Sequence, residues 1–201
     1  MKKSIGLLLA IPLLAALPSA SAQQSSKPVN TCSMTLSAAP ELWGFKLGMP
    51  MEQVRERYPS LRLETSSSFG VTGGHVMASE DSATQRNYKW QLSGLFEVNL
   101  QFSDAKLSFI GPVYDPRSFR YPSLDAYIAM LSKAYGLPNE WVIDKNVTFP
   151  YKTMKCGEVF FGAMAGTSVG FLMFDAKARE AFDERVNKYQ KSQYPTLPAV
   201  H

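Results

Sequence analysis

The sequence predicts an α+β fold in which an antiparallel sheet carries helices packed on one of its faces. Three segments place apolar residues three and four positions apart, a spacing typical of amphipathic helices. Other segments alternate apolar and polar residues, which is typical of strands with one wet face, and short turn sequences join them into hairpins. Because hairpins pair strands in opposite directions, the pattern indicates an antiparallel sheet rather than a parallel one.

Three helices are predicted, and each has recognisable ends. The first begins at Pro50, a residue tolerated in the first helical turn, and ends before Pro59. The second begins after Ser123, a good N-cap, and closes at Gly136. The third follows Asp175, another N-cap residue. Their apolar stripes consist of Met51, Val54 and Tyr58, then Leu124, Ile128, Leu131 and Tyr135, and finally Ala178, Phe182, Val186 and Tyr189.

Two apolar hairpins are predicted between these helices. Residues 96–102 alternate cleanly, turn at residues 103–105 and return over residues 106–110. The second hairpin joins residues 158–164 to residues 169–174. Its return strand is apolar on both faces, so we place it centrally in the sheet.

Two further strands complete the pattern. Residues 88–92 alternate aromatic or aliphatic residues with polar ones and predict a neighbouring strand. Residues 71–78 form another candidate strand, which Gly73 and Gly74 interrupt. Each half of the chain then consists of a short helix, an irregular connector and an apolar hairpin, which indicates two loosely repeated helix-hairpin units.

Residues 1–22 have the features of a secretory signal peptide. A basic start precedes an apolar stretch over residues 5–17, and residues 19–22, SASA, offer the small side chains found before a cleavage site. The apolar stretch is shorter than the roughly 20 residues that a membrane-spanning helix needs. We therefore expect a periplasmic or secreted protein with no membrane span after signal cleavage.

The remaining chain is predicted to form a single domain. Removal of residues 1–22 from the 201-residue chain leaves 179 residues, enough to bury a substantial core. The polar segment 23–40 predicts a flexible leader, and residues 41–191 the α+β domain. Residues 192–201 contain two prolines and no apolar periodicity, which predicts a disordered tail.

The charge of the chain argues against nucleic acid as a partner. The formal net charge of +4 includes Lys2 and Lys3, so that +2 remains after signal cleavage. No block of like charges is left that would follow a phosphate backbone. We therefore expect no nucleic-acid binding.

Cys32 and Cys156 are predicted to form a disulfide. An even pair of cysteines in an exported protein is more often bridged than free, although two buried, unpaired thiols are the alternative. A zinc site is disfavoured, because zinc needs four clustered ligands and the chain offers two distant cysteines and one internal histidine, His75.

One catalytic pattern occurs in the sequence. Gly166, Ser168 and Gly170 match the G-x-S-x-G nucleophile elbow of serine hydrolases. The acids and base that follow are Asp175, Asp183 and His201. The elbow needs a strand before the serine and a helix after it, whereas here a hairpin turn and a strand are predicted. A secreted serine hydrolase using Ser168 is thus the alternative to a protein without catalytic residues.

The sequence contains no recognisable cofactor site or general base. Glycines 70, 73 and 74 lack the Lys-Ser/Thr pair that completes a phosphate-binding loop. His75 has no positioned partner at local spacing, so we predict a structural histidine. We therefore expect no catalytic, cofactor-binding or metal-binding residue.

Residues 111–122 are predicted to be an irregular connector with an interaction site. The segment contains prolines and lacks periodicity, and connectors carry function more often than cores do. Tyr114, Arg117 and Tyr121 are the residues that we assign to this interaction loop.

A resemblance to the opening of small bacterial envelope domains is carried by residues 45–54, FKLGMPMEQV. In those domains an Ile/Leu-Gly-Met turn starts a helix with a valine on its core face. They occur in the outer-membrane assembly lipoproteins of the SmpA/OmlA group and, as a tandem pair, in the secreted beta-lactamase inhibitor proteins. The resemblance implies a protein-binding scaffold whose sheet presents its exposed face.

The same resemblance sets the expected function. The lipid-anchor cysteine found at the mature N-terminus of the assembly lipoproteins is missing from this chain. We therefore expect an exported, non-enzymatic binding or assembly module of the bacterial cell envelope, whose partner is another envelope or secreted protein.

Overall fold

The described part of the chain forms a short 3₁₀ helix, three α-helices and eight strands. In this computed structural model it comprises residues 32–66, 69–78, 94–115, 117, 121–145, 147–165 and 169–193. The 3₁₀ helix is Leu36–Ala38, and the α-helices are α1 (Met51–Arg57), α2 (Leu124–Tyr135) and α3 (Ala176–Gln193). The strands are β1 (Arg62–Ser66), β2 (Val71–Met77), β3 (Leu95–Ser103), β4 (Lys106–Tyr114), β5 (Val142–Ile143), β6 (Tyr151–Cys156), β7 (Val159–Ala165) and β8 (Val169–Asp175).

All eight strands belong to one antiparallel sheet, in the order β1-β2-β3-β4-β8-β7-β6-β5. Each half of this order is a meander of four consecutive strands, and the two meanders meet where β4 pairs with β8. The prediction of an α+β fold with an antiparallel sheet is therefore confirmed. The central position predicted for residues 169–174 is confirmed as well, because β8 lies between β4 and β7.

One face of the sheet carries the main hydrophobic core. Residues of β3, β4, β7 and β8 that alternate toward this face are fully or almost fully buried, and α1 and α2 cover them. The strand residues include Val98, Leu100, Ile110, Phe161 and Met173, and the helix residues include Val54, Tyr127, Ile128 and Leu131.

The third helix lies on the opposite face of the sheet. Phe160 and Phe174 alternate with the buried Phe161 and Met173, so their rings point away from the core. The guanidinium carbon of Arg179 in α3 lies 4.8 Å and 4.6 Å from the centroids of these two rings. The predicted packing of all helices on one face therefore fails for α3. An apolar stripe shows that a helix is packed, but it does not show which side of a sheet the helix packs against.

The helix ends agree with the caps predicted from the sequence. The Ser123 hydroxyl accepts a hydrogen bond from the Ala126 N–H at 3.1 Å, and Gly136 ends α2 with a positive φ of 64°. The Asp175 carboxylate accepts hydrogen bonds from the first turn of α3, at 2.9 Å from the Lys177 N–H. Pro50 differs slightly, since it is the N-cap of α1 rather than its first helical residue.

Several strands differ from their prediction. β2 runs without interruption through Gly73 and Gly74, and β4 continues to Tyr114, into the segment that was predicted to be a connector. β1, β5 and β6 were not predicted, because their short sequences lack a clear apolar alternation. α3 extends two residues into the predicted tail, to Gln193. The strand predicted over residues 88–92, the signal peptide and residues 194–201 lie outside the described residues.

The predicted disulfide between Cys32 and Cys156 is present, and it fixes part of the leader. The Cα atoms are 4.8 Å apart, within the roughly 7 Å limit for a bridge. The Glu158 N–H donates to the Met34 carbonyl at 2.8 Å, and the Leu36 N–H donates to the Glu158 carboxylate at 2.8 Å. Residues 32–36 of the predicted leader are therefore held against the turn between β6 and β7, whereas residues 23–31 lie outside the described part of the chain.

None of the helices in the described residues combines the length and the apolar character needed to cross a membrane.

The contact between the leader and the β6–β7 turn can be tested at Gly157. Gly157 has a φ of +58°, and a Cβ there would lie 2.5 Å from the backbone nitrogen and oxygen of Met34. Gly136 has a similar φ of +64° but open space around its Cβ position. Gly136→Ala therefore measures the cost of the positive φ alone, without a steric clash. We expect Gly136→Ala to lower the free energy of unfolding by about 1 kcal/mol and Gly157→Ala by roughly 3 kcal/mol, because the leader must also move. Equal losses in urea unfolding would contradict the contact.

The disulfide should stabilise the fold measurably. Cys32 is only partly buried, so Cys32→Ala removes the bridge with little loss of packing. We expect this variant to lose about 2 to 5 kcal/mol of unfolding free energy in urea. A reductant should lower the stability of the wild type by a similar amount and leave Cys32→Ala unchanged. Two titratable thiols in the unfolded, unreduced protein would contradict the prediction.

Candidate functional site

The candidate site lies on the face of the sheet that α3 crosses. Three phenylalanines are register neighbours there, since Phe174 of β8 pairs with Phe109 of β4 and with Phe160 of β7. The ring centroids of Phe109 and Phe174 are 4.4 Å apart, and those of Phe160 and Phe174 are 6.0 Å apart. We call this surface the aromatic face and define it by Phe109, Tyr151, Phe160, Met164, Leu172 and Phe174. All but Tyr151 are half-buried, so the face remains partly open to solvent.

Two glycines allow aromatic side chains to lie across the strands of this face. A Cβ at Gly111 would lie 2.5 Å from a ring carbon of Phe109, and a Cβ at Gly162 would overlap the hydroxyl of Tyr151. Gly162 pairs with Leu172, and the Cβ position of Gly111 is 3.2 Å from a methyl group of Leu172. Because Gly111 and Gly162 lack side chains, the surface of the sheet is recessed next to Leu172.

Arg179 links α3 to the aromatic face. Its guanidinium stacks over the rings of Phe160 and Phe174 and also pairs with Asp183 one turn along the helix, with 3.2 Å between Nε and Oδ2. Burial raises the pKa of the Tyr151 hydroxyl, while the charge of Arg179 and its hydrogen bond to Tyr151 act in the opposite direction. The guanidinium of Arg179 thus contacts two phenylalanine rings, the carboxylate of Asp183 and the hydroxyl of Tyr151.

A cleft of about 250 Å³ opens between α3 and the sheet beside Arg179. We call it the α3 cleft. Its lining consists of Val71, Gln101, Ser103, Ser108, Phe109, Phe174, Ala178, Arg179, Phe182 and Asp183. Apolar rings and neutral polar groups therefore meet in one concave site, a combination typical of small-ligand pockets.

A β-bulge places a polar group in the α3 cleft. The register of β3 with β4 shifts between Gln101 and Phe102, which leaves Ser108 as the extra residue on β4. The buried Ser108 hydroxyl donates to the Gln101 carbonyl at 3.0 Å and lies 3.2 Å from the Ser103 hydroxyl. The bulge thus gathers three polar residues at one end of the cleft.

The residues predicted to form the interaction loop occupy different environments. Tyr114 is the last residue of β4, is 8% exposed, and accepts a hydrogen bond from the indole N–H of Trp43 at 3.3 Å. Tyr121 packs against the core with its ring centroid 5.1 Å from that of Tyr127. The Arg117 side chain is 87% exposed and pairs with Asp115. Of the three, only Arg117 presents its side chain mainly to solvent, and residues 116 and 118–120 lie outside the described residues.

The residues of the hydrolase alternative are not brought together where they are described. Asp175 caps α3, and Asp183 pairs with Arg179. β8 begins at Val169, so a strand follows the motif where a nucleophile elbow would have a helix. Residues 166–168, including Ser168, and His201 lie outside the described part of the chain.

His75 lies on β2 opposite Asn99, on the same side of the sheet as the aromatic face. Within the described ranges, no three His, Cys, Asp or Glu side chains lie close enough together to hold a metal ion.

Comparisons of the chain with protein-family models, with curated protein sequences and with solved structures find no match. The function of the chain is therefore inferred from the chemistry of its own residues.

Burial of Tyr114 should make the protein sensitive to alkaline pH. Burial raises the pKa of the Tyr114 hydroxyl from 10.0 to about 12, and the hydrogen bond from Trp43 offsets only part of this effect. The unfolded state therefore loses the proton at lower pH than the folded state, so the stabilisation is intact below pH 10 and is lost as the pH rises to about 12.

We expect the free energy of unfolding to fall across this pH range, with Tyr114 contributing roughly 2 to 3 kcal/mol of the decline. Urea unfolding at several pH values would measure it. Tyr114→Phe should make the decline less steep without removing it, because burial also raises the pKa values of Tyr127, Tyr135 and Tyr151. A curve parallel to that of the wild type would contradict the assignment to Tyr114.

Proposed function

We propose that the protein is an exported, non-enzymatic binding module of the bacterial cell envelope that holds a protein partner on its aromatic face. The observation that carries this proposal is a row of three register-paired phenylalanines, Phe109, Phe174 and Phe160, which α3 leaves half-buried. The ring surface that stays accessible to water costs solvation free energy, about 25 cal/mol per Å² of apolar surface. A partner that covers them recovers this energy, and aromatic side chains are enriched at the centres of protein interfaces.

The surroundings of the aromatic face support a protein partner. Polar residues continue the same side of the sheet toward β2 and β3, where His75 pairs with Asn99 and Asn99 pairs with Gly111. Interfaces commonly combine an apolar centre with a polar, solvent-accessible rim. The aromatic face with its polar border has this composition.

The order of the elements supports the tandem arrangement that the envelope-domain resemblance implies. α1 precedes the meander β1 to β4, and α2 precedes the meander β5 to β8. Both helices contribute to the same core, and the sheet order runs outward from the β4–β8 pair in both directions. We therefore infer two related helix-and-meander units whose joined sheet forms the binding surface.

The disulfide and the signal-peptide features support export. A disulfide persists in the oxidising conditions of the periplasm or the extracellular space, whereas cytosolic thiols are kept reduced. The proposed partner is accordingly another envelope or secreted protein.

Site-specific photo-crosslinking in the intact envelope would test the proposed surface. We would place a photoreactive phenylalanine at Leu172, in the aromatic face, and at Asn99, on its polar border. Lys133, on the exposed side of α2, is the matched control on the other side of the sheet. We expect one dominant protein adduct from Leu172 and Asn99 and none from Lys133.

Two results would contradict the proposed surface. Adducts with abundant envelope proteins alone, at equal yield from all three positions, would argue against a specific partner. With an additional probe at Arg117, a dominant adduct from that position but not from Leu172 would move the interface to the connector that follows β4.

A further inference from the structure

The α3 cleft has two chemically different ends. Phe109, Phe174 and Phe182 line it with aromatic rings, and Gln101, Ser103 and Ser108 line it with neutral polar groups. Rings and polar groups therefore line the same half-open cleft. A ligand that fills this space must be apolar at one end and must form hydrogen bonds at the other.

The polar end offers both donors and acceptors. The Gln101 side chain carries a carbonyl and an NH₂ group, and it lies on the same face of β3 as the Ser103 side chain two residues later. The two serine hydroxyls lie 3.2 Å apart, and each keeps a lone pair for a further bond. A hydroxyl group on a ligand, which donates one hydrogen bond and accepts others, matches this end.

The charges at the cleft compensate each other. Among the described residues, Arg179 and Asp183 are the only charged ones that line the α3 cleft, and they pair with each other at 3.2 Å. A charged ligand would lose its hydration without gaining an uncompensated counter-charge. The cleft therefore favours an uncharged ligand.

The cleft is large enough to hold about one ring. An apolar cavity of roughly 150 Å³ is sufficient for benzene. The α3 cleft, with about 250 Å³, leaves room for an aromatic ring and a small substituent.

We infer that the α3 cleft binds an uncharged aromatic ring that carries a hydroxyl group, a ligand of the phenol class. The ring lies among Phe109, Phe174 and Phe182, and the hydroxyl bonds to Gln101 and to the serine pair. Such a group comes either from a free small phenol or from a tyrosine side chain of another protein. The α3 cleft shares Phe109 and Phe174 with the aromatic face but is also lined by residues of α3, so a small phenol can occupy it whether or not the proposed protein partner exists.

Titration of the isotope-labelled protein with p-cresol, followed by NMR, tests the inference. We expect saturable shifts at residues of the cleft. 4-Methylbenzoate, which replaces the hydroxyl by a carboxylate, should bind at least ten-fold more weakly. N-acetyltyrosinamide distinguishes the two sources: binding at the same residues indicates a tyrosine side chain, and exclusion while p-cresol binds indicates a free small phenol.

Three variants separate the two ends of the cleft. Gln101→Leu keeps a side chain of similar volume but removes the amide. It should weaken the binding of p-cresol at least five-fold and leave the binding of toluene unchanged. Asn99→Leu is the matched control, because it lies on the same strand and face but outside the cleft lining, and it should bind p-cresol like the wild type. Ala178→Leu fills the cleft and should abolish binding of both compounds, with circular dichroism to verify folding.

The inference is overturned if folded wild-type protein shows no saturable shifts with p-cresol. Equal affinity for p-cresol and toluene would also overturn it, as would undiminished binding to folded Ala178→Leu. None of these outcomes depends on whether photo-crosslinking finds a protein partner.

Discussion

The pairing of β4 with β8 is the contact on which the rest of the structure depends. It joins the two four-stranded meanders into one sheet, in an antiparallel register that pairs Phe109 with Phe174 and Ile110 with Met173. Neighbouring residues of a strand point to opposite faces, so one register serves both sides of the sheet. Ile110 and Met173 are fully buried in the core, whereas Phe109 and Phe174 form the centre of the aromatic face. The core and the candidate site therefore have the same structural origin.

The two faces of this sheet are covered to different extents. On the core side, α1 and α2 contribute large side chains such as Val54 and Tyr127, which are inaccessible to solvent. On the other side, Ala176 is the only buried residue of α3, and Arg179 and Phe182 are partly buried, packed against the sheet and against Phe69 respectively. Fewer side chains are fully buried between α3 and the sheet than on the core side, and the α3 cleft opens there. Because the core does not include these groups, a ligand or partner can bind there without disturbing it.

The features predicted correctly from the sequence are those that a few neighbouring residues determine. Ser123 and Asp175 cap their helices through bonds to the next turn, and the alternation over residues 96–102 produces a strand with one buried face. β1 was missed because it is a short edge strand with a single large apolar residue, Leu63, which gives no repeated alternation. The cleft was missed for a different reason. Ser108 lines the α3 cleft only because of a β-bulge, and no local sequence pattern indicates that α3 packs on the second face of the sheet.

The aromatic face and the α3 cleft are physically continuous, because Phe109 and Phe174 belong to both. Arg179 lies where they meet, stacked on the ring of Phe174 and paired with Asp183. A ligand in the cleft and a protein on the aromatic face would therefore contact opposite sides of the same group of side chains. Any change that one of them causes in the position of Arg179 or the rings alters the affinity for the other, and thermodynamic linkage requires the effect to be equal in both directions.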